Sequence, residues 1–299
     1  MKVRFAVTPP ASALAEPDAF REYLAACETL GFDTLWLSDV PLGPLGDPVL
    51  SLMFAAACTT RLKLGLNVVP LGRNPLWLAK QLAQLDRFSG GRLLISLVPG
   101  LGQPQERAAL GHATGDRGRA IDQIIGMLRT WWSGGQVSDT IEGFTFTDVA
   151  VAPLPLQAPL EIWLGGIGPA ALDRVARLAD GWLTANATPS EAAAARSVIQ
   201  ERAESCARIV DAEHFGISIP YATQAPSDAV VAAVRQRRGG DGDISQILPV
   251  GEAALHDLIR AHIDAGLSKF VLRPVAPLVD QHWHAELEWL AAAVLSLQT

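Results

Sequence analysis

A glycine-rich stretch is the first feature of the sequence that could bind a ligand. Gly165, Gly166 and Gly168 precede Pro169, a residue that suits the first turn of a helix. Glycines let backbone N–H groups approach a ligand closely, and the free amides at the start of a helix favour an anion. The spacing differs from the nucleotide-binding G-x-G-x-x-G motif. The stretch therefore predicts either a phosphate-binding turn or a tight strand-to-helix turn that binds nothing.

Polar residues and glycine also follow other short apolar runs. Asp39 could accept a hydrogen bond from a ring N–H or a hydroxyl, or it could cap the turn that follows. Asn67 would face a ligand or bond to the backbone at a strand end, and Gly100 would leave room for a flat ligand. Arg273 would hold an anionic substrate or form a salt bridge within the protein.

The histidines give few candidates for catalysis. His112 is the one that we expect near the same loops, and it joins Asp39 and Asn67 as a candidate catalytic residue. His282 and His284 are two positions apart, so on a helix they face different directions and do not match the zinc pair H-E-x-x-H. We expect no metal site. Because the sequence also lacks a G-x-S-x-G elbow and a Walker motif, we expect a cofactor to carry the chemistry.

Eight short apolar runs alternate with helical patterns and would position these residues. This alternation predicts parallel strands joined by helices, and the count of eight favours a closed (β/α)₈ TIM barrel over an open doubly wound sheet. In such a barrel, binding residues lie where strands end and the following loops begin. The predicted strands are Val3–Thr8, Asp33–Ser38, Leu62–Val69, Arg92–Val98, Leu160–Leu164, Gly181–Thr184, Phe215–Pro220 and Lys269–Leu272.

Two long segments interrupt the alternation. Pro99–Asp116 follows the fourth strand, and Ser133–Pro159 contains a possible hairpin around Ile141–Val149. Loops of this length in a compact domain are usually functional or disordered. The pattern predicts helices that include Pro48–Cys58, Arg117–Trp132 and Pro169–Leu178, one over Ser190–Val210 and a last one over Asp280–Leu297.

Composition limits the class of protein. The 299 residues are 49% hydrophobic, which is enough for the core of one barrel domain over residues 1–299. The net charge of −7 argues against a nucleic-acid partner, since that affinity depends on Lys and Arg neutralising phosphates. Three widely spaced cysteines form no disulfide framework, and there is neither a signal-peptide core nor an apolar stretch long enough for a membrane span. We expect a cytoplasmic enzyme that acts on a small molecule.

Several segments together resemble the bacterial luciferase-like monooxygenase superfamily of flavin- and deazaflavin-dependent oxidoreductases. The most specific stretch runs from Pro75 through Leu85-Asp86-Arg87-Phe88-Ser89-Gly90-Gly91-Arg92 and is similar to the family's "LD-x-x-SGGR" pattern. Other matches are Arg117–Trp132, Ile162–Trp182 and Gly266–Pro274, so the resemblance spans nearly the whole chain.

The resemblance implies a TIM barrel with cofactor contacts at the ends of its strands. Carried over by position, the cofactor-binding residues are Asp39, Asn67, Val68, Gly100, Gly165, Gly166, Gly168, Thr184 and Ala185. It also implies a non-prolyl cis peptide, which we place at Asn67–Val68, and a homodimer. Relatives often have histidine where this chain has Val40 and Asn74, and both differences remove candidate acid–base groups.

The Trp163–Trp182 segment is more similar to the coenzyme F420 branch than to the FMN branch. The resemblance therefore implies hydride transfer between coenzyme F420 and a small organic substrate. One alternative is an FMN-dependent monooxygenase that uses a separate flavin reductase. Another is a cofactor-free binding protein on the same fold.

Overall fold

Buried apolar runs form the barrel strands, because parallel strands are covered by helices on one side and by the barrel core on the other. The computed structural model describes residues 1–111, 116–238, 243–275 and 283–299. Eight parallel strands close a barrel in the order β1-β10-β9-β8-β7-β4-β3-β2, and β5 and β6 form a separate two-stranded sheet. The strands are β1 Arg4–Val7, β2 Thr34–Ser38, β3 Lys63–Val68, β4 Leu93–Leu97, β5 Val137–Ile141, β6 Phe144–Val149, β7 Ile162–Leu164, β8 Gly181–Ala185, β9 Phe215–Tyr221 and β10 Lys269–Pro274.

Most helices begin at a proline, which is pre-organised for the first helical turn. In α8, Thr188 and Glu191 also form a reciprocal capping box. The helices are α1 Ala11–Leu14, α2 Pro17–Leu30, α3 Pro48–Cys58, α4 Pro75–Phe88, α5 Pro104–Ala109, α6 Arg117–Trp132, α7 Pro169–Leu178, α8 Pro189–Ser205, α9 Asp228–Arg238, α10 Glu252–Asp264 and α11 Trp283–Val294. Within the described residues, no helix is both long and apolar enough to cross a membrane.

The chain divides into two compact units, Leu37–Ile162 and the combination of Met1–Trp36 with Trp163–Thr299. We call them the middle unit and the terminal unit. The terminal unit joins its two chain ends directly, since Val3 N–H donates to Thr299 Oγ1 over 3.0 Å. In the middle unit, α4 and α6 pack together and Trp132 Nε1 donates to Ala79 O over 3.1 Å.

Strand alternation shows which side chains face the barrel interior. The rings of Phe5 and Phe270 lie side by side in register and stack 5.5 Å apart. Two residues further along, Val7 and Leu272 line a small cavity together with Leu287 of α11. Since these side chains face the surrounding helices, the alternate residues on β1 and β10 face the interior.

Register extends this assignment to neighbouring strands. Val7 lies opposite Leu35, and Leu272 lies opposite Ile219. Ile217, on the same side of β9 as Ile219, lies opposite Thr184. The interior side chains near the C-terminal ends of these strands are therefore Ser38, Leu183, Ala185, Ser218, Pro220 and Arg273.

The predicted barrel is confirmed, with strand boundaries within two residues of the structure. The predicted hairpin is also present, but it begins earlier, at Val137. The predicted helix Ser190–Val210 is too long: α8 ends at Ser205, where Ala207 adopts φ 55 and Arg208 N–H bonds back to Ala203 O over 2.8 Å. The last helix ends at Val294 rather than Leu297, because a 3₁₀ turn follows; its predicted start at Asp280 lies outside the described residues.

The expected cis peptide at Asn67–Val68 is wrong. Among the described residues, cis bonds occur at Ala152–Pro153 and Ala158–Pro159. Asn67 and Val68 instead continue the parallel ladder with β4, opposite Ser96 and Leu97. A regular ladder through both residues needs an extended trans backbone, which explains the difference.

Candidate functional site

A polar layer lies on one face of β2, β3 and β4 in the middle unit. Asn67 Nδ2 donates to Ser38 Oγ over 2.9 Å, and Asn67 lies opposite Ser96 in the β3–β4 register. Ser38 faces the barrel interior, so its partner Asn67 does as well. The Ser96 hydroxyl is buried and has no partner among the described residues. Buried hydroxyls normally find a partner, so this layer has unused hydrogen-bonding capacity.

Asp39 is positioned beside this layer but is already engaged. Its backbone N–H donates to Asn67 O over 2.8 Å. Its carboxylate accepts from Val69 N–H over 3.1 Å and from Arg73 Nη2 over 2.9 Å. Arg73 Nη2 also lies 3.2 Å from Asp47, the residue that caps α3. Asp39 therefore anchors the loop between β3 and α4.

The two carboxylates also affect the charge of Arg73. Burial lowers the pKa of its guanidinium, but the neighbouring Asp39 and Asp47 more than offset this and raise the pKa above its ordinary value. Arg73 is therefore a fixed cation at the end of β3. Its neighbour Asn74, at a position where the family resemblance suggests histidine, caps α4 by accepting from Leu76 N–H over 2.9 Å.

The Gly100 turn wraps around a buried carboxylate. Glu106 of α5 is 2% exposed and accepts from Leu101 N–H over 2.7 Å and from Gly102 N–H over 3.3 Å. Gly100 has φ +76, and a Cβ there would lie 2.5 Å from Glu106 Oε1. The positive φ favours glycine at this position, whether or not a ligand also approaches the turn, and Glu106 occupies the space beside it.

The glycine-rich turn of the terminal unit is held in place by Trp182. Its indole Nε1–H donates to Gly166 O over 2.8 Å. Gly166 has φ +97, and a Cβ there would meet Ala171 Cβ at 2.8 Å. A Cβ at Gly165 would lie 2.6 Å from Leu183 O. Two of the three predicted glycines are therefore needed for close backbone packing.

The same turn leads directly into an uncapped helix. Gly168 is the N-cap residue of α7, no side chain caps the helix, and Gly166, Gly168 and Pro169 are exposed. Pro169 has no N–H, and Ala171 N–H donates to Gly168 O over 2.9 Å, so the Ala170 N–H is the amide that this first turn offers to an anion. The turn thus has both properties that the sequence left open: tight packing and an available helix N-terminus.

Thr184 and Ala185 point to opposite sides of β8. Thr184 is 2% exposed and faces the surrounding helices. Ala185 is exposed and faces the barrel interior, so it is the better placed of the two to touch a ligand. The next residue, Asn186, adopts φ 55, and its buried side-chain oxygen has no partner among the described residues.

The remaining predicted residues have mixed outcomes. Val68 is fully buried in the β3–β4 ladder. His112 lies outside the described residues. The structure places Asp39 and Asn67 next to each other in the middle unit, and it places the Gly165–Gly168 turn, Thr184 and Ala185 together in the terminal unit.

The most family-specific motif has a structural role away from the C-terminal strand ends. Asp86 is fully buried and its Oδ2 accepts from Leu156 N–H over 2.7 Å and from Gln157 N–H over 2.8 Å. Arg92 donates to Leu62 O over 2.6 Å and to Thr59 O over 3.0 Å. These contacts lie at the end of α4 and the start of β4, so the motif stabilises the barrel at the N-terminal ends of its strands.

Comparison with known proteins agrees with this architecture. A family model described as luciferase-like monooxygenase matches residues 2–273. The chain therefore belongs to the luciferase-like monooxygenase family, a family of oxidoreductases. The family assignment rests on nearly the whole chain, since the matched region includes all eight barrel strands up to Arg273.

Individual relatives match either over part of the chain or at low sequence identity. The FMNH(2)-dependent dimethylsulfone monooxygenase of Pseudomonas putida is 34% identical over 133 residues, which is 43% of this chain and 36% of that protein. The match thus spans about a third of the length of that relative.

Two solved structures match the full chain in fold. The coenzyme F420-dependent tetrahydromethanopterin reductase of Methanopyrus kandleri has a TM-score of 0.76 at 19% identity and covers 100% of both chains. The oxygenating constituent of 3,6-diketocamphane monooxygenase of Pseudomonas putida, solved with FMN, has a TM-score of 0.78 at 14% identity and covers 100% of this chain and 99% of that one.

Two residues of the polar layer were missed by sequence reasoning. Ser38 and Ser96 become relevant only when register shows that they share the face of Asn67. The sequence analysis also assigned no helix over α9, although Val230, Val231 and Val234 have helical spacing there.

Proposed function

We propose that the protein is an oxidoreductase that binds a flavin-type cofactor at the C-terminal ends of its barrel strands, with coenzyme F420 as the preferred cofactor. The observation that carries this proposal is the Gly165–Gly168 turn at the uncapped start of α7. Its place after β7 is where TIM-barrel enzymes bind ligands.

The turn suits the phosphate group that coenzyme F420 and FMN share. Gly166 and Gly168 are exposed at the start of α7, and no side chain caps that helix. Trp182 fixes the Gly166 carbonyl, which holds the turn that precedes the helix in place. In this proposal, backbone N–H groups of the turn bind the phosphate, and the helix dipole favours its charge.

The polar layer of the middle unit suits the ring system. Asn67 donates to Ser38, and its amide oxygen accepts no hydrogen bond from the described residues. This oxygen is available to accept from a ring N–H, and the unpartnered Ser96 hydroxyl offers a second polar contact. Asp39 holds the Asn67 backbone in place and thus acts as a positioning residue.

The bound cofactor would supply hydride or oxygen chemistry that no side chain of the chain can supply. The residues of the chain would bind the cofactor, orient its ring and shield it from water. Asn67 would fix the ring by hydrogen bonding, and Ala185 presents a small exposed side chain at the end of β8. Neither residue changes protonation state, so a proton would come from solvent or substrate.

The preference for coenzyme F420 rests on the Trp163–Trp182 segment. A Cβ at Gly181 would lie 2.4 Å from the Trp163 ring, and Trp182 bonds to the Gly166 carbonyl, so this segment builds the turn. Its similarity to the coenzyme F420 branch therefore concerns the residues that shape the proposed phosphate site. The reductase of Methanopyrus kandleri, which matches over the full chain, is named as an F420-dependent enzyme.

A second candidate function is an FMN-dependent monooxygenase that receives reduced FMN from a separate reductase. The observation that favours it is the 34% identity to an FMNH(2)-dependent monooxygenase over 43% of this chain. In this alternative the same turn holds the FMN phosphate.

A titration distinguishes these possibilities. The purified chain is titrated anaerobically with oxidised and reduced coenzyme F420 and FMN, and binding is followed by absorbance and fluorescence. We expect coenzyme F420 to bind with a Kd below about 100 μM. Tighter binding of reduced FMN, with oxygen consumption on mixing with air, would support the monooxygenase. If neither cofactor binds in this range, both functions are wrong.

A further inference from the structure

Arg273 lies on the interior face at the C-terminal end of β10. Its neighbours Leu272 and Pro274 line the small cavity beside Leu287 and Leu290 of α11, so these two residues face the helices. Alternation along the strand then directs Arg273 to the opposite side, toward the barrel interior. It lies opposite Pro220, near the end of β9.

The guanidinium of Arg273 has no anionic partner within the part of the chain that the structure describes. Two other partly buried arginines do have such partners: Arg238 lies 3.1 Å from Glu191, and Arg4 lies 3.2 Å from Asp33. A second cation, Arg237 in the last turn of α9, is exposed and acts on Arg273 through its charge. Burial, and secondarily the charge of Arg237, lower the pKa of Arg273 to about 10.

A partly buried guanidinium such as that of Arg273 is unfavourable unless an anion pairs with it. A guanidinium presents donors in a fixed fork that matches carboxylate, sulfonate and phosphonate groups. An interior position at the C-terminal strand ends is also where a TIM-barrel enzyme holds its ligands. The charge of Arg273, unpaired among the residues that the structure describes, is therefore most simply explained as half of a binding site.

We propose that Arg273 binds the anionic group of an organic substrate such as a carboxylate or sulfonate. This inference rests on the proposed function, since it names the substrate class of that enzyme. The same chemistry could recognise an acidic group of the cofactor, so the experiment has one arm for each source.

The first arm measures binding of methanesulfonate and of the neutral dimethyl sulfone, a molecule of similar size, by calorimetry in low-salt buffer. We expect methanesulfonate to bind and Arg273→Gln to weaken it about tenfold or more, while dimethyl sulfone binding is unchanged. Arg273→Lys keeps the charge and should retain part of the affinity. Arg235→Gln, which removes an exposed charge from the same turn of α9, is the matched control and should have little effect.

The second arm measures FMN and riboflavin, which differ by a phosphate. If Arg273→Gln weakens FMN alone and leaves methanesulfonate unchanged, the anion belongs to the cofactor and the assignment to substrate is wrong. Equal methanesulfonate affinity in all variants, with circular dichroism showing that they fold, would also overturn it. If the cofactor binds but methanesulfonate does not, this inference is wrong and the proposed function stands. Arg273-dependent methanesulfonate binding without any cofactor binding refutes the proposed function instead.

Discussion

The guanidinium of Arg73 lies 2.9 Å from the carboxylate of Asp39, and this ion pair joins the end of β2 to the loop after β3. The Asp39 side chain is 6% exposed and that of Arg73 is 28% exposed, so water competes weakly for the pair. The pair thus fixes the backbone next to Asn67, the residue that we propose contacts the ring.

Replacing Arg73 with glutamine should destabilise the protein. Asp39 would be left buried without its cation, and we expect the free energy of unfolding to fall by about 2–4 kcal/mol. The measurement is urea unfolding of the wild type, Arg73→Gln, Asp39→Asn and the double variant, since a double-mutant cycle isolates the coupling. Arg21→Gln, which breaks the exposed pair with Asp18, is the control and should change stability little. Additive effects at Arg73 and Asp39 would contradict the ion pair.

Gly166 and Gly168 form a matched pair for testing the phosphate turn. Gly166→Ala places a side chain at φ +97 and 2.8 Å from Ala171 Cβ, so it should destabilise the protein by about 1–3 kcal/mol and weaken cofactor binding. Residue 168 has a favourable φ of −70, and a Cβ there would have no neighbour within 4 Å. The Gly168→Ala variant should therefore be as stable as the wild type. Thermal melting and cofactor titration of both variants measure this. If both variants change the melting temperature and the Kd for the cofactor equally, the turn is not strained at Gly166 as described.

Local patterns predicted the barrel well, because continuous apolar runs and proline or glycine boundaries depend on the chain itself. The Pro48–Cys58, Arg117–Trp132 and Pro169–Leu178 helices match the structure at both ends. The Gly165–Gly168 turn was also located from residue type alone.

The details of the site were harder to predict, because they depend on register and on distant partners. Thr184 and Ala185 were equivalent in the sequence, yet only Ala185 faces the interior. Gly100 was interpreted as space for a ligand, whereas its neighbour is the carboxylate of Glu106.

The Asp86 carboxylate offers a test that separates stability from function. Asp86→Asn replaces an acceptor oxygen with an NH₂ group that would face the N–H donors of Leu156 or Gln157. A buried donor would then be unsatisfied, and we expect the free energy of unfolding to fall by about 2–4 kcal/mol. Because Asp86 lies at the end of α4, before β4 begins, the Kd for the cofactor should not change in the folded variant. A large rise in that Kd, with stability unaffected, would contradict a purely structural role.

The buried histidine of α10 predicts how stability depends on pH. His262 is fully buried, neither of its ring nitrogens has a partner among the described residues, and burial lowers its pKa from 6.5 to about 4. The folded protein therefore keeps His262 neutral, while the unfolded chain binds a proton below pH 6.5. Stability from this group is complete above pH 6.5 and is lost as pH falls toward 4, by about 3 kcal/mol in total.

Replacement of His262 by leucine should remove this dependence. Leucine has no titratable group and leaves no buried nitrogen unsatisfied, so we expect His262→Leu to equal or exceed the wild type at pH 7. Its advantage should then grow by about 3 kcal/mol as the pH is lowered to 4, because only the wild-type unfolded chain gains a proton at this position. Urea unfolding of both proteins at several pH values between 7 and 4 gives this difference directly. A constant difference across the range would show that His262 titrates normally in the folded protein and is therefore not buried as the structure places it.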